Sequence, residues 1–153
     1  LPANLLLTTA KGEKRLMNYE SLADGGFATG TMMGSGGFIV LDEDQCVVKH
    51  TYTLARFYRH ESCGQCSPCR EGTGWMEKIL KKIEDGKGEM SDIDLIWDIQ
   101  RKIEGTTICP LGDAAAWPIQ GLIRHFRQEI EERIVNYRQG RPHVQGVTLT
   151  AAE

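Results

Sequence analysis

The chain has 153 residues, 41% of them hydrophobic and 25% charged, with a formal net charge of −3. That length holds one ordinary domain or two small ones, and that composition buries a core. The slight acidic excess gives no electrostatic case for nucleic acid, and no apolar run approaches the roughly 20 residues that cross a bilayer.

Residues 1–48 differ from the rest. "NLLLTT" and "GFIVL" are short apolar runs bounded by glycines and read as strands. "GTMMGSGG" between them is a loop; it holds GxGG but not GxGxxG, and no helix pattern follows, so no dinucleotide role is expected. The first residue is Leu, and "LPANLLLTTAKG" has neither the basic start nor the apolar length of a signal peptide, which points to a processed chain or a fragment.

From about residue 50 the periodicity turns helical. "TLARFYRH" gives a short helix with Leu54, Phe57 and Tyr58 on one side. The next starts at "SPCREG", with Ser67 as cap and Pro68 at the first helical position. Cys69, Gly72, Met76, Ile79, Leu80 and Ile83 then share one face, and Gly86 ends it. "SDIDLIWDIQRKIEG" is a third helix, with Ser91 and Asp94 as a capping box, Ile93, Ile96, Trp97 and Ile103 inward, and Gly105 as its stop. The fourth runs from Pro118 through "PIQGLIRHFRQEIEERIVNY", with a stripe of Ile119, Leu122, Ile123, Phe126, Ile130 and Ile134. The charged run "RQEIEER", Arg133 included, reads as its solvated face, and Trp117 as a core residue. "RQGRPHVQGVTLTAAE" is a polar, irregular tail. The expected class is α+β: a small strand-containing lobe over 1–48, a four-helix bundle over 49–137 and a tail over 138–153.

The five cysteines, an odd number, argue for reduced thiols in an intracellular compartment rather than a disulfide framework. Three sit in "HESCGQCSPCREG": Cys63-x2-Cys66-x2-Cys69. A [4Fe–4S] cube needs one thiolate on each of four irons, and a compact loop with this spacing reaches three corners. The fourth must come from elsewhere. Cys109 is the candidate, because the third helix has returned the chain by then and Pro110 follows it. Structural zinc is the competing reading, although four-cysteine zinc sites use two separated pairs rather than three plus one. A thioredoxin-like pair lacks its βαβ context. Cys46 has no partner at ligand spacing and reads as a core thiol. Gly64 lets the loop turn tightly, Gly72 allows a neighbouring element close, and Arg70 with the helix N-terminus would favour the reduced, more anionic cluster. Four thiolate-capped irons leave no open position for substrate. His50, His60, His125 and His143 are scattered, with His60 read as structural, so no catalytic residue is assigned and the expected chemistry is electron transfer.

"ARFYRHESCGQCSPCREG" followed by "ICPLGDAAAWPIQGLIRHF" resembles the flavin-carrying, NADH-oxidising subunit of respiratory NADH:quinone oxidoreductase, complex I, over roughly residues 30–135. The resemblance implies a [4Fe–4S] cluster on Cys63, Cys66, Cys69 and Cys109, and makes residues 1–48 the later part of a ubiquitin-like β-grasp (SLBB) domain. It also implies FMN and NAD sites on a preceding domain that nothing in this chain resembles, so this chain alone should not oxidise NADH. Other hydrophilic-arm subunits of complex I are the implied partners, at the cytoplasmic face of the inner membrane and without insertion into it. NAD-linked hydrogenases and formate dehydrogenases carry a similar module.

Overall fold

The structure, a computed structural model, describes the backbone of residues 6–8 and 14–16 and, with side chains, residues 39–41 and 45–141. The chain divides into two compact units, Leu1–Val40 and Leu41–Glu153.

In the first unit, strand β1 (Leu6–Thr8) pairs antiparallel with β2 (Lys14–Leu16), Leu7 opposite Arg15. The expected strand at "NLLLTT" is present as β1, while its partner "KRL" carries no apolar run to announce it. The expected strand at "GFIVL" is not formed over its described part. Ile39–Leu41 is irregular and is in no ladder of the described sheet, so Ile39 and Val40 stand exposed. Segment 31–38 and the tail beyond Arg141 lie outside the described residues.

The second unit is a bundle of four helices: α1 (Val47–Glu61), α2 (Ser67–Glu84), α3 (Met90–Ile103) and α4 (Leu111–Arg138). Each packs on its neighbour in the chain, and α1 closes the ring onto α4. The core is aliphatic, with Val48, Met76, Leu80, Ile83, Ile93, Ile103, Ile119, Ile130 and Ile134 at its centre. Burying each such side chain contributes on the order of 1.5–3 kcal/mol against leaving it in water. All six residues of the α2 stripe, Cys69 to Ile83, are buried. Gly72 is there for closeness: a Cβ on it would sit 2.5 Å from Ile103 Cδ1, so α2 and α3 meet at this point.

Several helix ends differ from the periodicity's forecast. Helix α1 starts earlier, capped by Cys46, and turns Val48, Thr51 and Ala55 inward, which leaves Phe57 54% exposed. On α2 the cap is Cys66, not Ser67, and Pro68 still falls in the first turn, where its missing N–H costs nothing. Helix α3 begins at Met90, and the reciprocal capping carboxylate is Asp92, which accepts from the Glu89 amide at 2.7 Å. Asp94 instead meets Arg127.

The largest correction is α4, which begins at Leu111 and runs straight through Pro118. An interior proline costs about 3 kcal/mol. The turns around it offset this by burying Gly112, Ala115, Ala116 and Ile119. The break comes at Phe126, whose φ of −131° is not helical. A second correction concerns Arg133, which is not solvated but 4% exposed. It shares a face with Ile130 and Ile134. Trp117 is partly exposed at 37%, less of a core residue than expected.

Burial pushes the Glu129 carboxyl above the ordinary glutamate range, against the pull of Arg133 and with a small push from Glu132. Between the ordinary and the raised value the unfolded chain holds fewer protons than the folded one, so stability falls as pH rises through that window. Glu129→Gln is therefore expected to raise the melting temperature at pH 7 and to give no gain below the ordinary glutamate range. Thermal melts of both proteins at the two pH values check this, and an equal gain at both would contradict it.

Candidate iron–sulfur centre

The sequence places three thiols at the start of α2, and the fold sets each differently. Cys63 is exposed, Cys66 half-buried and Cys69 buried; none is in a disulfide. Cys66 is the N-cap of α2, in extended conformation, and its carbonyl accepts the first helical hydrogen bond from Arg70 N at 2.8 Å. Cys69 lies in the first turn, its Sγ 3.2 Å from the Ser62 hydroxyl and its carbonyl bonded by Thr73 Oγ1 at 2.7 Å. Ser62 closes the C-terminus of α1 and also receives the Gly64 amide at 3.4 Å. Between them Gly64 takes a φ of +78°, a left-handed turn that a side chain would strain. Arg70 fastens the loop from below: Nη1 donates to the Gly64 carbonyl at 2.9 Å, Nη2 to Ser67 Oγ at 3.4 Å, and Nε to Glu71 at 2.9 Å.

The remaining cysteine of the reading, Cys109, follows α3 in the chain. Residues 104–110 link α3 to α4, and within them the Ile108 amide donates to Cys66 Sγ at 3.4 Å. The residue beside Cys109 therefore touches Cys66, although 42 positions separate the pair. Cys109 is exposed and directly precedes Pro110, the N-cap of α4. Cys66 and Cys69 thus stand at the N-terminal end of α2 and Cys109 directly before that of α4, where unpaired N–H groups and the helix dipole favour anions. Cys46 is elsewhere, in the core, with Arg133 Nη1 donating to its Sγ at 2.8 Å. His60 is exposed and pairs with Glu61.

The described residues include no group of three or more His, Cys, Asp or Glu side chains gathered for a single ion. Four thiolates that each take a separate iron of a cube have no need to meet at one point. The contact of the Ile108 amide with Cys66 Sγ places the loop that holds Cys109 against the loop that holds the other three thiols, and thiols are the donors such a cube takes.

Two participants were not named by the sequence. Ser62 has a helix-ending position but no motif, and Ile108 acts through its backbone, which carries no residue signature.

A thiol-rich loop pair at the N-terminal ends of two bundled helices defines the class: an iron–sulfur binding helical region. The chain belongs to the family of the NADH-ubiquinone oxidoreductase-F iron-sulfur binding region, which matches residues 49–133. It is 46% identical to an F-type subunit of the NADH-quinone oxidoreductase of Rhizobium meliloti, over 94% of this chain and 32% of that protein. It is 53% identical to the F-type subunit of the NADH-quinone oxidoreductase of Rickettsia felis, over 77% of this chain and 27% of that one. The chain thus spans about a third of the length of the curated relatives it matches. Among solved structures, an NAD+-reducing [NiFe]-hydrogenase in its H2-reduced state superposes with a TM-score of 0.67 at 26% identity, over 88% of this chain and 25% of that one. Among the described residues, no helix is long and apolar enough to cross a membrane.

Proposed function

We propose that this chain is the electron-relay portion of an NADH:quinone oxidoreductase subunit, with Cys63, Cys66, Cys69 and Cys109 as the four ligands of one [4Fe–4S] cluster. The observation that supports the reading is the Ile108 amide on Cys66 Sγ, because it sets the loop of Cys109 against the loop of the other three cysteines. When bound, such a cluster supplies reversible one-electron transfer with no free iron position for substrate. The chain's own residues do the rest. Gly64 makes the left-handed turn between Cys63 and Cys66, and Arg70 holds that turn by its carbonyl while adding positive charge nearby. The first-turn amides of α2 and α4 favour the more negative state, which raises the potential.

The family resemblance extends the reading to the whole subunit. On that reading FMN and NAD bind on a preceding domain, of which the 1–48 segment, as the end of a β-grasp domain, is the neighbour. Reduced FMN there is the electron donor, and neighbouring subunits of the hydrophilic arm, peripheral to the membrane on its cytoplasmic side, are the acceptors. In this reading the iron–sulfur bundle begins ahead of α1 rather than at residue 49, since Cys46 caps that helix and the second compact unit starts at Leu41, and 138–153 is a tail. The hydrogenase likeness supports the same module in an NAD-linked hydrogenase as a second reading. The 46–53% identity to the quinone oxidoreductase subunits favours the first.

The test is composition. Prepared or reconstituted without air, the chain should contain about four irons and four sulfides, and dithionite should bleach its broad visible absorption and give an electron paramagnetic resonance signal. One zinc per chain with no sulfide would overturn the proposal and leave a structural interaction domain.

A further inference from the structure

The loop that carries Cys109 has its shape imposed by α4. Glu104 caps the C-terminus of α3. A carboxylate there faces the negative end of the helix dipole, an unfavourable place for it. What compensates lies on the next helix. Trp117 Nε1 donates to Glu104 Oε1 at 2.8 Å, and Gln120 Nε2 donates to Glu104 Oε2 at 2.7 Å. Gln120 is itself anchored, bonded at 2.8 Å to Gln100, which has no exposure at all. One residue further on, the Gly105 amide donates to Asp113 Oδ1 at 2.7 Å. Asp113, Trp117 and Gln120 follow one another at i, i+4 and i+7, a single face of α4. Past this grip, Thr107 Oγ1 donates to the Cys109 carbonyl at 2.9 Å and packs on Gly112, where a Cβ would collide with it. The next amide is Ile108, on Cys66 Sγ.

We propose that the Asp113–Trp117–Gln120 face of α4, by holding Glu104 and Gly105, is the positioning device that sets the Ile108 amide on Cys66 and Cys109 beside the α2 thiols. The inference rests on the four-cysteine reading above. Trp117, Gln120 and Glu104 hold no ligand atom; they act through the loop backbone. An N–H donated to a ligand sulfur stabilises the extra negative charge of the reduced cluster. Releasing the loop withdraws that donor, makes reduction harder and opens a route for iron to leave.

The experiment compares the full cluster-loaded chain with its Glu104→Ala and Glu104→Gln variants by three measurements. These are the midpoint potential from a paramagnetic-resonance redox titration, the rate of iron loss to a chelator, and the thermal melt. Glu104→Ala should move the potential to more negative values and speed iron loss on the order of 10-fold. Glu104→Gln keeps an acceptor for Trp117 and should fall between the two. Should the alanine variant not fold, Trp117→Phe, which keeps the ring and removes the donor, carries the same expectation. Unchanged potential and iron loss in a variant that folds overturn the positioning role alone. A parent chain that assembles no cluster overturns the four-cysteine reading and this inference with it.

Discussion

Cys109→Ala should cost the chain its four-iron centre almost completely, while Cys46→Ala should leave iron content unchanged. The two thiols are a matched pair for this purpose. Each stands apart from the Cys63–Cys69 loop in sequence, and each lies beside a helix N-terminus. They differ in what they face. Cys46 is 6% exposed and spends its sulfur on Arg133. Cys109 is exposed, and its neighbour's amide is on Cys66 Sγ. If three thiolates sufficed, the loss of the fourth would weaken binding modestly. A cube with one iron uncapped instead loses both a bond and the bridge between the α2 and α4 loops. Iron and sulfide analysis of the two variants, prepared side by side without air, decides the matter. Retention of four irons in Cys109→Ala, or their loss in Cys46→Ala, would reassign the fourth ligand. The bundle itself should survive. Its aliphatic centre, from Val48 to Ile134, does not include the thiol loops, so the helical circular dichroism should hardly change. Protease sensitivity should rise at residues 62–69 and 104–110, because ligation contributes folding energy locally.

The parts of this molecule that were legible in the sequence are those written in side-chain type at a regular spacing. The α2 stripe is the clearest case: apolar residues recur with the helical period and every one is buried. The Cys-x2-Cys-x2-Cys loop is another, since thiol spacing is chemistry stated directly. The start of α4 was hidden for two reasons. Pro118 reads as a beginning, and Gly112, Ala115 and Ala116 give little amphipathic signal because they are buried by being small rather than by being apolar. Phe57 is exposed because the buried face of α1 runs through Val48, Thr51 and Ala55, roughly opposite to it on the helix. Backbone donors such as Ile108 leave no trace in a sequence, and the pairing of Glu104 with Trp117 and Gln120 spans two helices whose register only the fold supplies.

Arg133 shows the same limit and leads to the second large effect: Arg133→Met should destabilise the bundle by about 3 kcal/mol. In the sequence it is one charge in a charged run. In the fold it is buried at the crossing of three segments, with Nη1 on Cys46 Sγ at 2.8 Å and Nη2 on Glu84 at 2.9 Å. Its guanidinium also lies over the Tyr137 ring, 5.6 Å from the centroid. The carboxylate it serves is only 14% exposed. Burial already pushes Glu84 above the ordinary glutamate range, and Arg133 is the largest influence pulling it back, ahead of Lys49. Methionine fills much of the same volume but leaves that carboxylate without its cation, and removing one partner of a buried pair costs far more than replacing both. For a bundle of this size the expected loss corresponds to roughly 12–24 °C in melting temperature. Two further results separate this account from simple loss of packing. Adding Glu84→Leu to Arg133→Met should restore most of the stability, since the unpaired charge is then gone. The defect should also shrink on acidification. Without Arg133 the folded-state pKa of Glu84 rises further, the unfolded chain holds fewer protons across that window, and the penalty present at neutral pH is relieved as the carboxyl takes up a proton. A defect of the same size at every pH, unrepaired by Glu84→Leu, would place the cost in the lost contacts to Cys46 and Tyr137 rather than in the buried charge.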